Sequence, residues 1–207
     1  EGLVEALHGA IANSGIELRY ATTVQDLLFD GHSVRGVRVR HQDLIVDIPA
    51  KAVILAAGGF QANAEWRTRY LGPGWDLAKV RGTRFNTGDG IRMAQEVGAD
   101  LWHMWHFHGS YGFRHPDPAY PYGIRVKRFP DWVPGNTEAD MIGADMVDVP
   151  VAWILVNRDG KRFMNEQPPY LQDTGARPFE DLDTVTQQFR NIPAWLICDE
   201  EGRKLYP

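Results

Sequence analysis

The chain has 207 residues, 43% hydrophobic and 24% charged, which is apolar material for one sizeable core or for a small domain plus part of another. Its net charge of −5, with no Lys/Arg stripe interleaved with aromatics, offers nothing to a nucleic acid or an acidic membrane surface. No apolar run approaches the ~20 residues that cross a bilayer, and the single cysteine, Cys198, excludes an internal disulfide and fits a reducing, cytoplasmic setting.

Leu3, Val4, Leu7, Ile11 and Ala12 recur at helical spacing, and Asn13-Ser14-Gly15 closes that helix. The chain thus opens inside an amphipathic pattern without a methionine, and it stops at Pro207 straight after a helix-like run from Asp199 to Tyr206. Both ends read as those of an internal piece of a longer protein. Extended segments are expected at Ile16 to Tyr20, Thr23 to Phe29, Val34 to Arg40 and Leu44 to Ile48. The turn Asp30-Gly31-His32-Ser33 and the short hinge His41-Gln42-Asp43 make the last three an antiparallel meander. The run Ala52-Val53-Ile54-Leu55-Ala56-Ala57 has no alternation, so a central parallel strand buried on both faces is expected. It ends on Gly58-Gly59, where backbone can turn sharply and approach a ligand.

Asn63 to Tyr70 and Asp89 to Val97 read as helices, the second opened by Thr87-Gly88-Asp89-Gly90 as a cap with an acidic first turn. Leu101 to Ile124 is rich in His, Trp, Tyr, Gly and Pro and reads as loop. Val151 to Val156 is another buried strand, followed by the turn Asn157-Arg158-Asp159-Gly160. Asp181 to Phe189 is expected as a helix and Ala194 to Ile197 as a final strand.

Four segments carry more than local structure. They are Ala50 to Phe60 with Asn63; Thr87-Gly88-Asp89-Gly90-Ile91 with Met93-Ala94 and Gly98-Ala99; Ile154 to Asn157 with Asp159-Gly160-Lys161-Arg162-Phe163 and Asn165-Glu166; and Pro193-Ala194-Trp195 with Ile197 and Asp199. In this order and spacing they resemble the FAD-binding flavoproteins that include fumarate reductases, succinate dehydrogenase flavoprotein subunits and 3-ketosteroid Δ1-dehydrogenases. The resemblance runs over nearly the whole chain. It implies an α/β fold with an α+β cap: part of a Rossmann-like FAD-binding domain with its β-meander over residues 1–60, then an incomplete capping, substrate-facing domain over 61–207. The family's G-x-G-x-x-G turn is missing from this sequence.

The same resemblance implies FAD as cofactor and names residues for it. Ala57, Gly58 and Gly59 would lie along its ribose and pyrophosphate, the backbone at Val24 against the adenine, and Thr87, Gly88, Asp89 and Gly90 on the flavin side. Read without it, the two glycines are an ordinary strand-ending turn and Thr87 to Gly90 an ordinary cap. In fumarate reductases an arginine four residues after the Glu of the NE pair acts as proton donor, and a histidine lies six residues after the equivalent of Met104. Here Tyr170 and Ser110 stand at those places, with His108 near. A tyrosine, with an ordinary pKa of ~10, suits an uncharged substrate with an acidic C–H better than a dicarboxylate. Tyr170 is therefore the catalytic candidate, with a packing tyrosine after Pro168-Pro169 as its alternative. His108, Ser110 and Glu166 are the substrate-side candidates, although Glu166 and Arg162 also read as a structural charge pair.

The stretch His103 to His108 invites a metal, yet neither an extended nor a helical geometry gathers three imidazoles, and no metal site is expected. A substrate-facing wall of Trp102, Trp105 and His108, or plain packing, is the reading instead. The expected activity is that of an FAD-dependent dehydrogenase or reductase at a C–C bond beside a carbonyl, passing hydride to or from flavin N5, with a small-molecule substrate and an unspecified electron partner. A fumarate reductase-like dicarboxylate enzyme, a non-catalytic binding domain of the same fold and a nicotinamide-dependent enzyme are the alternatives. Without the missing turn, the chain alone is expected to bind FAD weakly or not at all and to be inactive.

Overall fold

The computed structural model describes residues 2–107, 109, 111–124, 152–166 and 175–205. They form two compact units, one of residues 1–59 and 88–101, the other of residues 60–87 and 102–207. The chain leaves the first unit at residue 60 and returns to it for Gly88–Leu101.

In the first unit, helix α1 (Gly2–Asn13) precedes a three-stranded antiparallel sheet, β1 (Thr22–Phe29), β2 (Val34–His41) and β3 (Leu44–Pro49). This is the expected meander. Asp30 accepts the N–H groups of His32 and Ser33 at 2.9 and 2.8 Å and pairs with Arg35, and these bonds set the first hairpin turn. They also hold the Asp30 carboxyl down at about 2. Helix α2 (Ala64–Leu71) belongs to the second unit, and helix α3 (Asp89–Glu96) completes the first. Val39 and Met93, each 3% exposed, form its small core.

Two expectations fail here. Ile16 to Tyr20 joins no ladder, and neither does the apolar run 52–57, in which Ile54 is 91% exposed. A strand apolar on both faces needs a neighbour on either side, and the described strands of this unit are already paired among themselves. The stripe of α1 is likewise uncovered, with no buried residue in twelve.

The second unit begins with α2, capped by Asn63, whose side chain accepts the Trp66 N–H at 3.2 Å. On its inner face Arg67 is buried, and its guanidinium donates to the carbonyls of Gln61, Trp75, Asp76 and Ala78 at 2.6 to 3.4 Å. Burial works against that charge and pushes its pKa down, so the four carbonyls are what make the position tolerable. Two short strands, β4 (Phe113–Arg114) and β5 (Gly123–Ile124), pair within the aromatic loop region. β6 (Trp153–Val156) pairs antiparallel with β9 (Trp195–Cys198), from Trp153 opposite Cys198 to Val156 opposite Trp195. Among the described residues Trp153, Leu155 and Val156 are the buried apolar side chains of this unit. Helix α4 (Glu200–Leu205) follows.

The expected helix over Asp181 to Phe189 is a hairpin instead, β7 (Leu182–Asp183) against β8 (Gln188–Phe189). Thr184-Val185-Thr186 is a β-branched run that loses side-chain freedom in a helix. Asp183 captures the N–H groups of Val185 and Thr186 at 2.9 and 3.3 Å, which closes a turn before a helix could start. Gln187 completes that turn at φ +57°.

Candidate cofactor and substrate sites

In the first unit the two glycine motifs meet. The Gly88 N–H donates to the Gly59 carbonyl at 3.1 Å, which joins the end of the 52–59 run to the start of α3. Gly58 and Gly88 both take left-handed backbone, at φ +74° and +91°, where a side chain is strained. Gly90 is buried, and a Cβ built on it would stand 3.2 Å from the Cβ of Ala57. The cap over Thr87 to Gly90 is made in backbone alone: the N-cap of α3 is Gly88, with no side-chain hydrogen bond. The helix begins on glycine backbone, whose N–H groups can face an anion, while the Asp89 carboxylate in its first turn suits a hydroxyl or N–H donor.

Beside this junction lies a shallow cleft of about 340 Å³ lined by Thr23, Val24, Gln25, Asp26, Asp89 and Arg92. A bulge produces one wall. The register of β1 on β2 jumps between Val24 and Asp26, leaving Gln25 without a partner residue. Its carbonyl accepts from the Arg92 guanidinium at 2.6 Å, and Arg92 also reaches Glu96 at 2.6 Å and Asp26 at 3.8 Å. Sequence reading missed Gln25, Asp26 and Arg92, because a bulge leaves no mark on an alternating pattern. Val24 and Asp89, assigned by resemblance to opposite ends of FAD, line one cleft. The residues present fit a dinucleotide: glycine backbone where a Cβ would intrude, and a helix start facing no side-chain cap.

In the second unit the Asn157 to Glu166 segment is a clamp. The Asn157 side chain accepts the N–H groups of Asp159 and Lys161, each at 3.0 Å, and donates to Asn191 at 3.1 Å. Asn191 in turn donates to the Pro178 carbonyl at 2.8 Å. Glu166 is 2% exposed. One of its oxygens accepts the Leu155 N–H of β6 at 2.7 Å, and the other meets Arg162 at 2.5 Å. Burial alone would push the Glu166 carboxyl up. The Arg162 and Leu155 hydrogen bonds outweigh it and hold the group below its usual value. Both oxygens are thus engaged within the protein, in the charge pair with Arg162 that the sequence also offered for Glu166. The partner Asn191 could not be read from sequence, since 34 residues separate it from Asn157.

The candidates Tyr170, His108 and Ser110 lie outside the described residues. Thr87 lies in the second unit, its carbonyl accepting from the Asn63 side chain at 3.1 Å. The stretch 102–107 is neither extended nor helical. His106 N–H donates to the His103 carbonyl at 3.1 Å around a tight turn, with His103 at φ +56°. Trp102 and Trp105 are 81% and 60% exposed, Trp102 stacking on His103 at 4.9 Å. Phe107 instead packs inward, 4.2 Å from the Trp75 ring and 4.4 Å from the Arg177 guanidinium. Among the described residues no group of three His, Cys, Asp or Glu side chains could hold a metal ion, and no helix is long and apolar enough to cross a membrane.

Comparison with known proteins agrees with this geometry. Residues 1–177 match the family model described as FAD binding domain. The 3-oxosteroid 1-dehydrogenase of Mycobacterium tuberculosis is 30% identical over 99% of this chain and 33% of its own length. The probable fumarate reductase Ifc3 of Shewanella frigidimarina is 27% identical over 96% of this chain and 29% of its own length. The solved 3-ketosteroid Δ1-dehydrogenase of Sterolibacterium denitrificans, in complex with 1,4-androstadiene-3,17-dione, superposes with a TM-score of 0.72 at 28% identity, over 97% of this chain and 32% of that one. The chain spans about a third of the length of the curated relatives it matches. A mixed helix-and-strand chain with these glycine junctions, matched by the family model over most of its length, belongs to the FAD binding domain family, whose cofactor is FAD.

Proposed function

We propose that this chain is the cofactor-contacting middle and part of the cap of an FAD-dependent oxidoreductase that acts on a C–C bond beside a carbonyl. The junction of Ala57-Gly58-Gly59 with Gly88-Asp89-Gly90 carries the reading, because bare glycine backbone at a helix start is what a dinucleotide phosphate needs. Residues 1–60 with 88–101 serve the cofactor, and the remainder serves the substrate. Since Val24 and Asp89 share one small cleft, we assign both to one part of FAD rather than to its two ends. When bound, FAD supplies the hydride chemistry.

This chain's residues bind and position. The Gln25 bulge and Arg92 fix the cleft wall. Glu166 anchors the stretch that leads to Tyr170 by tying it to β6 and Arg162. Tyr170 moves the proton that accompanies hydride transfer, which suits an uncharged substrate. Tyr170 and Ser110, where fumarate reductases keep arginine and histidine, set the substrate nearer to a bulky ketone such as those of the steroid dehydrogenases than to a dicarboxylate. Exposed Trp102 and Trp105 offer such a ketone a flat apolar wall, and His108 and Ser110 are the polar substrate candidates by resemblance. A cytoplasmic home rests on the free Cys198.

The test is purification of the full-length protein without added cofactor. The expected result is bound flavin and reduction of an artificial acceptor by a 3-keto substrate. A full-length protein that neither carries nor binds FAD sinks the proposal. Tyr170→Phe should lower kcat at least ~100-fold while FAD stays bound; unchanged turnover removes Tyr170 from the chemistry.

A further inference from the structure

One half-buried side chain of the second unit touches two stretches that the proposed reaction depends on. Phe179 stands in the short 3-10 helix Arg177–Glu180. Its ring meets the Phe163 ring edge-on, with centres 5.3 Å apart at 82°, and the Tyr111 ring at 6.3 Å and 43°. Both spacings fall where aromatic pairs attract one another. Phe163 opens the stretch that continues through Glu166 to Tyr170, while Tyr111 directly follows Ser110 and comes three residues after His108. One ring therefore bridges the proton-moving stretch and the substrate-side stretch.

A second bridge runs along β6. The Trp153 indole N–H donates to the Tyr111 hydroxyl at 3.0 Å, and two residues further on the Leu155 N–H donates to Glu166 at 2.7 Å. The 3-10 helix is itself pinned. Its Pro178 carbonyl accepts from Asn191 at 2.8 Å, and Glu180 accepts the Trp75 indole N–H at 2.8 Å and pairs with Arg177 at 3.0 Å. The Arg177 guanidinium lies over the Phe107 ring at 4.4 Å, so Phe107 and Tyr111, on either side of 108–110, both rest on this helix. All of these residues belong to the second unit. Packing must set the spacing of the two stretches, since Tyr111 and Phe163 lie far apart in sequence. A ring in contact on both sides does so closely, because a gap of ~0.5–1 Å already forfeits a quarter to a half of the dispersion attraction.

We propose that Phe179 is a positioning residue for the reaction: its ring, between Tyr111 and Phe163, sets the spacing of the substrate-side stretch from the stretch that leads to Tyr170. This rests on the flavoenzyme reading above, with Tyr170 moving the proton. Proton transfer needs its donor and acceptor within ~2.6–3.2 Å. A misplacement of ~1 Å, even from a change remote from the chemistry, costs ~100-fold. Phe179 needs no contact with substrate or flavin for this; it acts through Tyr111 and Phe163.

The test is a double-mutant cycle in the full-length enzyme, with a 3-keto substrate, an artificial acceptor and kcat taken per bound flavin. Phe179→Leu should lower kcat at least ~10-fold, with FAD bound as tightly as in wild type. Phe179→Met keeps most of the volume without the planar ring; it should lower kcat about 3-fold and stands in should the leucine variant not fold. In a Tyr170→Phe background either replacement should cost less than ~2-fold, because the step it misplaces is already lost. Equal fold-losses with and without Tyr170 would make Phe179 a packing residue only and overturn positioning. Wild-type turnover in a folded variant overturns it too, as does a loss that missing flavin accounts for in full. If neither variant folds, the ring serves the stability of the second unit and positioning is refuted. A wild type without flavin, or a Tyr170→Phe enzyme with full turnover, shows instead that the flavoenzyme reading or its tyrosine has failed, and positioning falls with it.

Discussion

The two units are held together by different means. The first has a small core, Val39 and Met93, and leaves Leu3, Val4, Leu7 and Ile54 in solvent. Its order lies in backbone: a meander, a bulge and glycines that let one segment close on another. The second unit buries polar side chains and satisfies them. Arg67 takes four carbonyls, Glu166 takes an N–H and a guanidinium, and Asn157 and Asn191 complete a chain of bonds to Pro178. Glycine backbone suits a site that must admit a ligand, whereas a satisfied polar network suits a segment that must hold its side chains still. Mutations should therefore divide: side-chain changes damage the stability of the second unit, and added Cβ atoms damage binding in the first.

The largest stability effect is expected at Arg67. Arg67→Met leaves buried carbonyls without a donor, and unfolding of the chain in urea should show a loss of about 3 kcal/mol. A loss below about 1 kcal/mol would mean that water replaces the guanidinium. Glu166→Ala comes next, at about 2 kcal/mol, because it orphans the Leu155 N–H and frees Arg162. Glu166→Gln should cost less, since an amide oxygen still accepts from Leu155.

The pH dependence follows from the same residue. The Glu166 pKa is depressed in the folded chain, so its contribution is fully present above the unfolded value of ~4.3 and disappears as pH falls through the folded value. The wild-type Tm should therefore drop more steeply than that of Glu166→Gln between pH ~5 and ~3. Parallel curves would show that the pair is not coupled to folding. The smallest effect is expected at the Arg38–Asp47 pair on the meander, where both side chains are about half exposed. Its double alanine variant should melt like the wild type.

What sequence could and could not disclose divides along the same line. Alternating runs and turn residues disclosed the meander, and the apolar period disclosed α1. The Asn-x-Asp-Gly turn was legible because its bonds are local, made by Asn157 to Asp159 and Lys161. Asp181 to Phe189 misled because its period resembles a helix, while the Asp183 turn and the β-branched run decide for a hairpin. The run 52–57 misled in another way: its composition describes a strand between neighbours that the described residues do not supply. In the site, the glycine motifs were visible singly, but their junction joins positions 29 apart and needs the fold. Arg92, Gln25 and Arg67 carried no signal, since a bulge carbonyl and a buried guanidinium are products of tertiary structure.

If the Ala57–Gly59 and Gly88–Gly90 junction receives FAD, the full-length Gly90→Val variant should bind it poorly. A valine there forces its Cβ, and the methyls beyond it, against Ala57 at the point where the two segments close. Titration of the deflavinated proteins with FAD should show at least ~10-fold weaker binding than wild type, about 1.4 kcal/mol, with the melting of the second unit unchanged. Wild-type affinity in that variant would contradict the claim and place the cofactor elsewhere.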